Sequence, residues 1–182
     1  MKKFLRVSAQ KGFTLIELLI VIAILGIMSA ALIASIDPLE QIKKSQDADL
    51  KEKAVEFFNA NARYYTSKGA MPWATIATGG ANCYSSGNTL SGVAISALTG
   101  CLTTLSSEGE LKTSFSSATN LNQVFVSNPS AQTGSTSDNV VCFQPKSKSQ
   151  QKDASTKYSI TGATLTTCKS GGGSVDCYWC AF

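Results

Sequence analysis

Residues 13–36, FTLIELLIVIAILGIMSAALIASI, hold one charged side chain, Glu17. As a helix this run is about 36 Å long at ~1.5 Å per residue, enough for the ~30 Å hydrocarbon core of a bilayer. Fourteen of its residues are Phe, Leu, Ile or Val. At roughly −0.3 to −0.6 kcal/mol each they favour insertion by about 4 to 8 kcal/mol, against about 3 kcal/mol for a charge at the centre. Insertion wins, and a carboxylate near the end costs less than a central one. Lys2, Lys3, Arg6 and Lys11 precede the run. They hold its start on the cytoplasmic side and leave the rest of the chain outside.

Two ordinary readings compete. A secretory signal peptide would share the basic start and be cut near Ala31 or Ala34. A plain single-pass anchor would share the apolar length. Neither explains why a carboxylate sits at position 17.

The overall charge adds little. The chain has 16 basic and 12 acidic residues, and four of the basic ones precede the apolar run. From Phe13 onward the two signs balance, which argues against a nucleic-acid surface. The sequence contains no histidine. That removes histidine bases, histidine-containing triads and histidine-liganded metals.

The stretch KGFTLIELLIVIAILGI resembles the N-terminal motif of type IV prepilins and their pseudopilin relatives. The resemblance is specific over residues 11–36 and architectural beyond them. It implies a leader of residues 1–12, cut on the cytoplasmic face between Gly12 and Phe13 by a prepilin peptidase, with N-methylation of the new terminal Phe13. Thr14 and Glu17 become the second and fifth residues of the mature chain. A terminal amine in the bilayer needs a counter-charge, and Glu17 is the nearest carboxylate. The resemblance implies that it meets the Phe13 amine of a neighbouring subunit and fixes register in a filament. Pairing within one subunit remains open.

Beyond the membrane run, SIDPLEQIKKSQDADLKEKAVEFFNANARYY reads as a second helix. Asp37-Pro38-Leu39-Glu40 supplies a cap, a proline at the first helical position and an acid at the third, so the spine is expected to kink or restart at Pro38. Leu39, Ile42, Leu50, Ala54, Phe57, Asn61 and Tyr64 form an apolar stripe, which Val55, Phe58, Ala62 and Tyr65 broaden. Glu40 with Lys44, Asp47 with Lys51, and Asp49 with Lys53 suggest ion pairs at four-residue spacing on the opposite side. The helix should end near Lys68-Gly69, with Pro72 beyond.

The resulting fold expectation is α+β: a long N-terminal helix, half in the membrane, with an antiparallel sheet wrapped on its outer half. Its parts are the leader 1–12, an apolar helix 13–36, an amphipathic helix 37–68, and a head over 69–182. Within the head, SSEGELKTSF suggests a short helix capped by Ser107, with Glu110 three residues later. Strand signals lie at 122–127, 139–144, 157–167 and 175–180, in an expected meander. The segment 145–156 reads as an exposed loop. Lys146, Lys148, Lys152 and the adjacent Lys157 make it basic, a pattern that serves solubility or a weak adhesive patch.

Six cysteines beside an export signal suggest disulfides in an oxidising space. The run from Cys168 to Cys177 has the form of a hairpin with a glycine tip, which would set those two opposite each other. Cys142 and Cys180 would then be partners, and Cys83 with Cys101 would staple the connecting region. Six cysteines allow 15 connectivities, so spacing alone leaves the pairing open. Cys177-Tyr-Trp-Cys180 also matches a redox spacing, but a thioredoxin-like site needs a helix after the first cysteine. Only Ala181 and Phe182 follow here. Nor does a single CxxC make a four-cysteine zinc site.

The resemblance thus implies a structural subunit of a type IV pilus or related extracellular filament, and no enzyme. Expected partners are further copies of the chain, the prepilin peptidase, an inner-membrane assembly platform and its ATPase. Before assembly the chain would sit in the cytoplasmic membrane. No cofactor and no metal are expected. The alternative within the family is a pseudopilin of a type II secretion or DNA-uptake machine. Secretion pseudopilins use clustered C-terminal acids for calcium, whereas Asp138, Asp153 and Asp176 are scattered. The balanced charge weighs only weakly against DNA uptake. Outside the family, a membrane-tethered extracytoplasmic redox or binding protein would share the anchor.

Overall fold

The computed structural model describes residues 12–35, 37–74, 80–84, 90–128, 139–169, 173 and 175–182. The chain divides into two compact units, Met1–Pro38 and Leu39–Phe182. The first is helix α1, Leu15–Ser35. Leu15–Ile33 is apolar and long enough to cross a membrane. The large apolar side chains of α1 are exposed on every side, from Val21 at 46 % to Leu15 at 82 %. A helix that is apolar all round needs an apolar surround. Its one hydroxyl within the span, on Ser29, donates to the Leu25 carbonyl at 2.7 Å and so is satisfied inside the helix.

Helix α2 runs from Pro38 to Lys68. Pro38 occupies its first position, where a missing N–H costs nothing. The buried side of α2 starts at Asp47 and includes Leu50, Ala54, Phe57, Ala60, Asn61 and Tyr64. Leu39 and Ile42, which continue the apolar stripe in sequence, are 68 % and 54 % exposed. The apolar core of the head therefore covers α2 only beyond its first two to three turns.

Five strands follow among the described residues: β1 (Val93–Ala94), β2 (Val124–Ser127), β3 (Val140–Phe143), β4 (Thr156–Tyr158) and β5 (Tyr178–Ala181). Helices α3 (Thr99–Ser107) and α4 (Lys148–Gln151) lie between them. All strand pairs are antiparallel, in the order β1-β2-β3-β5-β4. This is the α+β arrangement expected from the sequence, with one change from a meander. The last strand inserts between β3 and β4, and Cys142 lies opposite Cys180 in that pairing.

β3 is buried on both faces. Alternate residues of a strand point to opposite sides. Val141 and Phe143 join Leu50, Phe57, Trp73, Leu105 and Val124 in the main core. Val140 and Cys142 join Cys180 in a second, smaller cluster. That is why Asn139-Val-Val-Cys-Phe143 is continuously apolar after its first residue rather than alternating.

Three local readings change. Ser107 does not open a helix; it closes α3. Gly109, with φ +78°, ends that helix: its N–H donates to the Ser106 carbonyl at 3.1 Å and the Glu110 N–H to that of Leu105 at 2.9 Å. This is a Schellman ending, which requires a left-handed residue that glycine adopts without strain. The run 157–167 is not one strand. It turns at Thr161-Gly162 and doubles back, with Ser159 N–H on Ala163 O and Leu165 N–H on Lys157 O, both 2.7 Å. Gly162 has φ +85°, and the Ser159 hydroxyl accepts from the Thr161 and Ala163 N–H groups inside the turn.

The segment after β3 is also not a free loop. Asp47, buried on α2, accepts the N–H groups of Lys146 at 2.9 Å and Ser147 at 2.8 Å. Glu40 accepts that of Lys148 at 2.5 Å. These two acids hold the 145–151 segment on α2. Asp49 pairs with Lys53 at 2.6 Å, as its spacing suggests.

Replacing Asp47 by Ala orphans two N–H groups next to a buried side chain. Hydrogen bonds to a charged acceptor contribute about 1.5–3 kcal/mol each. Asp47→Ala should lower unfolding stability by about 3 kcal/mol in a denaturant titration of the oxidised chain. Asp49→Ala, in a half-exposed pair, should cost under about 1 kcal/mol. Equal costs would show that Asp47 is not the anchor.

Candidate functional site

The start of α1 concentrates the chemistry. Gly12, Phe13 and Thr14 precede the helix, and Phe13 is 83 % exposed. The expected leader, apart from Gly12, lies outside the described residues. A Cβ added at Gly12 would meet no atom within 4 Å. Nothing in the described fold therefore demands glycine there.

Thr14 and Glu17 form a closed pair. Thr14 donates to Glu17 Oε2 through its N–H at 2.9 Å and its hydroxyl at 2.8 Å. The Glu17 N–H returns to the Thr14 hydroxyl at 3.3 Å. Because α1 begins at Leu15, Thr14 is the capping residue and Glu17 the third helical residue. This is a capping box, and it satisfies two N–H groups at the helix start. A carboxylate there also faces the positive end of the helix dipole. Thr14-Leu-Ile-Glu17 spells the box outright, and the sequence reasoning above read it only as part of a motif. Both donors reach Oε2, and Oε1 takes no hydrogen bond among the described residues.

Residues 7–33 match the family model described as the prokaryotic N-terminal methylation motif. The chain is also 39 % identical over 72 residues to the fimbrial protein EcpC of Eikenella corrodens, a match covering 40 % of this chain and 46 % of that relative. By its N-terminal segment and its α+β build, the chain is similar to the type IV pilin family. The chain spans less than half the length of the curated relative it matches. No solved structure matches it.

The other singled-out residues lie away from this site. Pro38 opens α2. The head carries disulfides Cys83–Cys101, Cys142–Cys180 and Cys168–Cys177. Cys142–Cys180 joins directly opposed residues of β3 and β5, with Cα atoms 4.1 Å apart. α3 comes so close to the first pair that a Cβ on Gly100 would lie 2.6 Å from the Cys83 carbonyl oxygen. The tip of the Cys168–Cys177 loop, residues 170–172 and 174, falls outside the described residues. Its base is closed by the Lys169 N–H on Val175 O at 2.8 Å. Cys177 and Cys180 are thus bonded to different partners, and a strand follows Cys177.

The box makes Thr14 and Glu17 one unit. Thr14→Val and Glu17→Val should each speed amide exchange at Leu15 to Leu18 of the full chain in bicelles. About fivefold is expected, the equivalent of ~1 kcal/mol for a lost cap. The double variant should be no faster than the worse single one. Additive effects would show that the two side chains act separately.

Proposed function

We propose that the chain is the structural subunit of a type IV pilus-like extracellular filament. The observation that carries the reading is α1: it is apolar on every side, unburied, and interrupted by one carboxylate. A bilayer surrounds such a helix before assembly, and other copies of the same helix surround it afterwards. Cleavage between Gly12 and Phe13 by a prepilin peptidase, followed by N-methylation, leaves a cationic amine at Phe13. Thr14 holds one oxygen of Glu17, and the other oxygen is left to meet the Phe13 amine of a neighbouring copy. That pairing neutralises two ions in an apolar interior and sets the axial step. An inner-membrane platform and its ATPase would drive the transfer from membrane to filament. The likeness to a fimbrial protein supports a pilin-type subunit.

Intact mass of assembled material should correspond to the 170 residues from Phe13 onward, plus a methyl group. A start at Ala31 or beyond would instead make the apolar run an ordinary signal peptide. Glu17→Val should be cut and inserted normally, because the change removes an ion from the bilayer. It should form few or no filaments, since each neighbour's amine loses its counter-charge. Normal filament yield would confine Glu17 to capping its own helix.

A further inference from the structure

A groove of about 620 Å³ opens in the head between the flank of α2 and the turn at Thr161-Gly162. Its volume lies in the range of small-molecule sites, about 300–1,000 Å³. Met71, Asn139 and Val140 are its buried residues, Phe58 and Tyr65 are half-buried, and Phe182 is exposed. None of the described residues lining it is charged. Three aromatic rings and a thioether favour a flat apolar guest.

One polar atom in this lining lacks a partner. Asn139 is 7 % exposed, and its Nδ2 donates to the Phe58 carbonyl at 3.4 Å. A carbonyl only accepts, so that contact fixes which end of the amide is which. Asn139 Oδ1 is buried and takes no hydrogen bond among the described residues. Buried acceptors are as a rule paired. A guest that fills the groove and brings one N–H or O–H would complete the amide.

We infer that this groove binds a small, uncharged aromatic molecule that donates one hydrogen bond to Asn139 Oδ1. The chemistry is that of an indole or a phenol. An acid or an amine would find no counter-charge among the lining side chains. All of its lining residues belong to the Leu39–Phe182 unit.

The test uses the full chain in lipid nanodiscs, with indole as probe and 1-methylindole as its counterpart lacking the donor. Empty nanodiscs correct for partition into lipid. Indole should shift the methyl signals of Met71, Val140 and Ala163 saturably and leave those of Leu102 and Leu121 in place. 1-Methylindole should bind at least tenfold more weakly. Asn139→Leu should bind the two probes equally, because the acceptor is gone. Ala163→Trp, at an exposed position on the rim, should abolish binding of both and guards against a fold defect in the first variant. Equal affinity of the two probes for the unaltered chain would overturn the inference. So would shifts spread to Leu102 and Leu121, or a groove already filled by a second copy, seen as concentration-dependent shifts of the same methyls without probe. Because the measurement is made on the unassembled chain, its failure leaves the filament reading intact.

Discussion

A helix with no polar side must be surrounded by something apolar. In α1 that demand covers Leu15–Ile33 and all of its faces. The polar side chains within Leu15–Ile33 are arranged to respect it. Ser29 returns its hydroxyl to the helix backbone, and Glu17 takes both donors of Thr14. What remains is a cylinder whose one ionic group sits at its first turn. Such a cylinder is compatible with lipid and with its own kind, and the difference in energy between those two surrounds is small. One well-placed ion pair, as proposed for Glu17, would then be enough to bias the choice and the register.

The head follows a different logic. Its core is built by α2, α3 and a five-stranded sheet, and its connections are held by three disulfides and by carboxylates used as backbone acceptors. Asp47 and Glu40 fasten the segment after β3 to α2, so lysines that read as a loose basic loop are carried on anchored backbone. Arg63 reaches Glu110 at 2.9 Å, and Lys68 reaches Glu108 at 2.9 Å. The Glu108 carboxylate raises the pKa of Lys68, through its hydrogen bond first and its charge second. These contacts tie the outer half of α2 to the turn after α3.

Long, periodic features were legible in the sequence. α1 follows from composition alone, and the buried face of α2 from three- and four-residue steps. The strands around Val124–Ser127, Val140–Phe143 and Tyr178–Ala181 follow from β-branched and aromatic runs. What escaped was decided by single residues or by distant partners. The box pattern of serine or threonine followed by glutamate occurs twice, at Thr14-Glu17 and at Ser107-Glu110. Only the first caps a helix. At the second, Gly109 ends α3, whose Leu102 and Leu105 enter the core. Gly162 folds a strand-like run back on itself. The insertion of β5 beside β3 is a long-range pairing, which no local pattern announces. At the candidate site, the motif marked Gly12, Phe13, Thr14 and Glu17, but the hydrogen bonds that join Thr14 to Glu17 needed coordinates.

The central claim is that α1 exchanges a lipid surround for copies of itself. Shearing intact cells and separating the released material from the membranes tests it most directly. The account expects the processed chain to leave the cells as long filaments that pellet at high speed. Electron microscopy should show their axis filled by packed helices, with the heads outside. If the processed chain instead stays with the membrane fraction as single subunits, α1 is an anchor and the filament account is wrong.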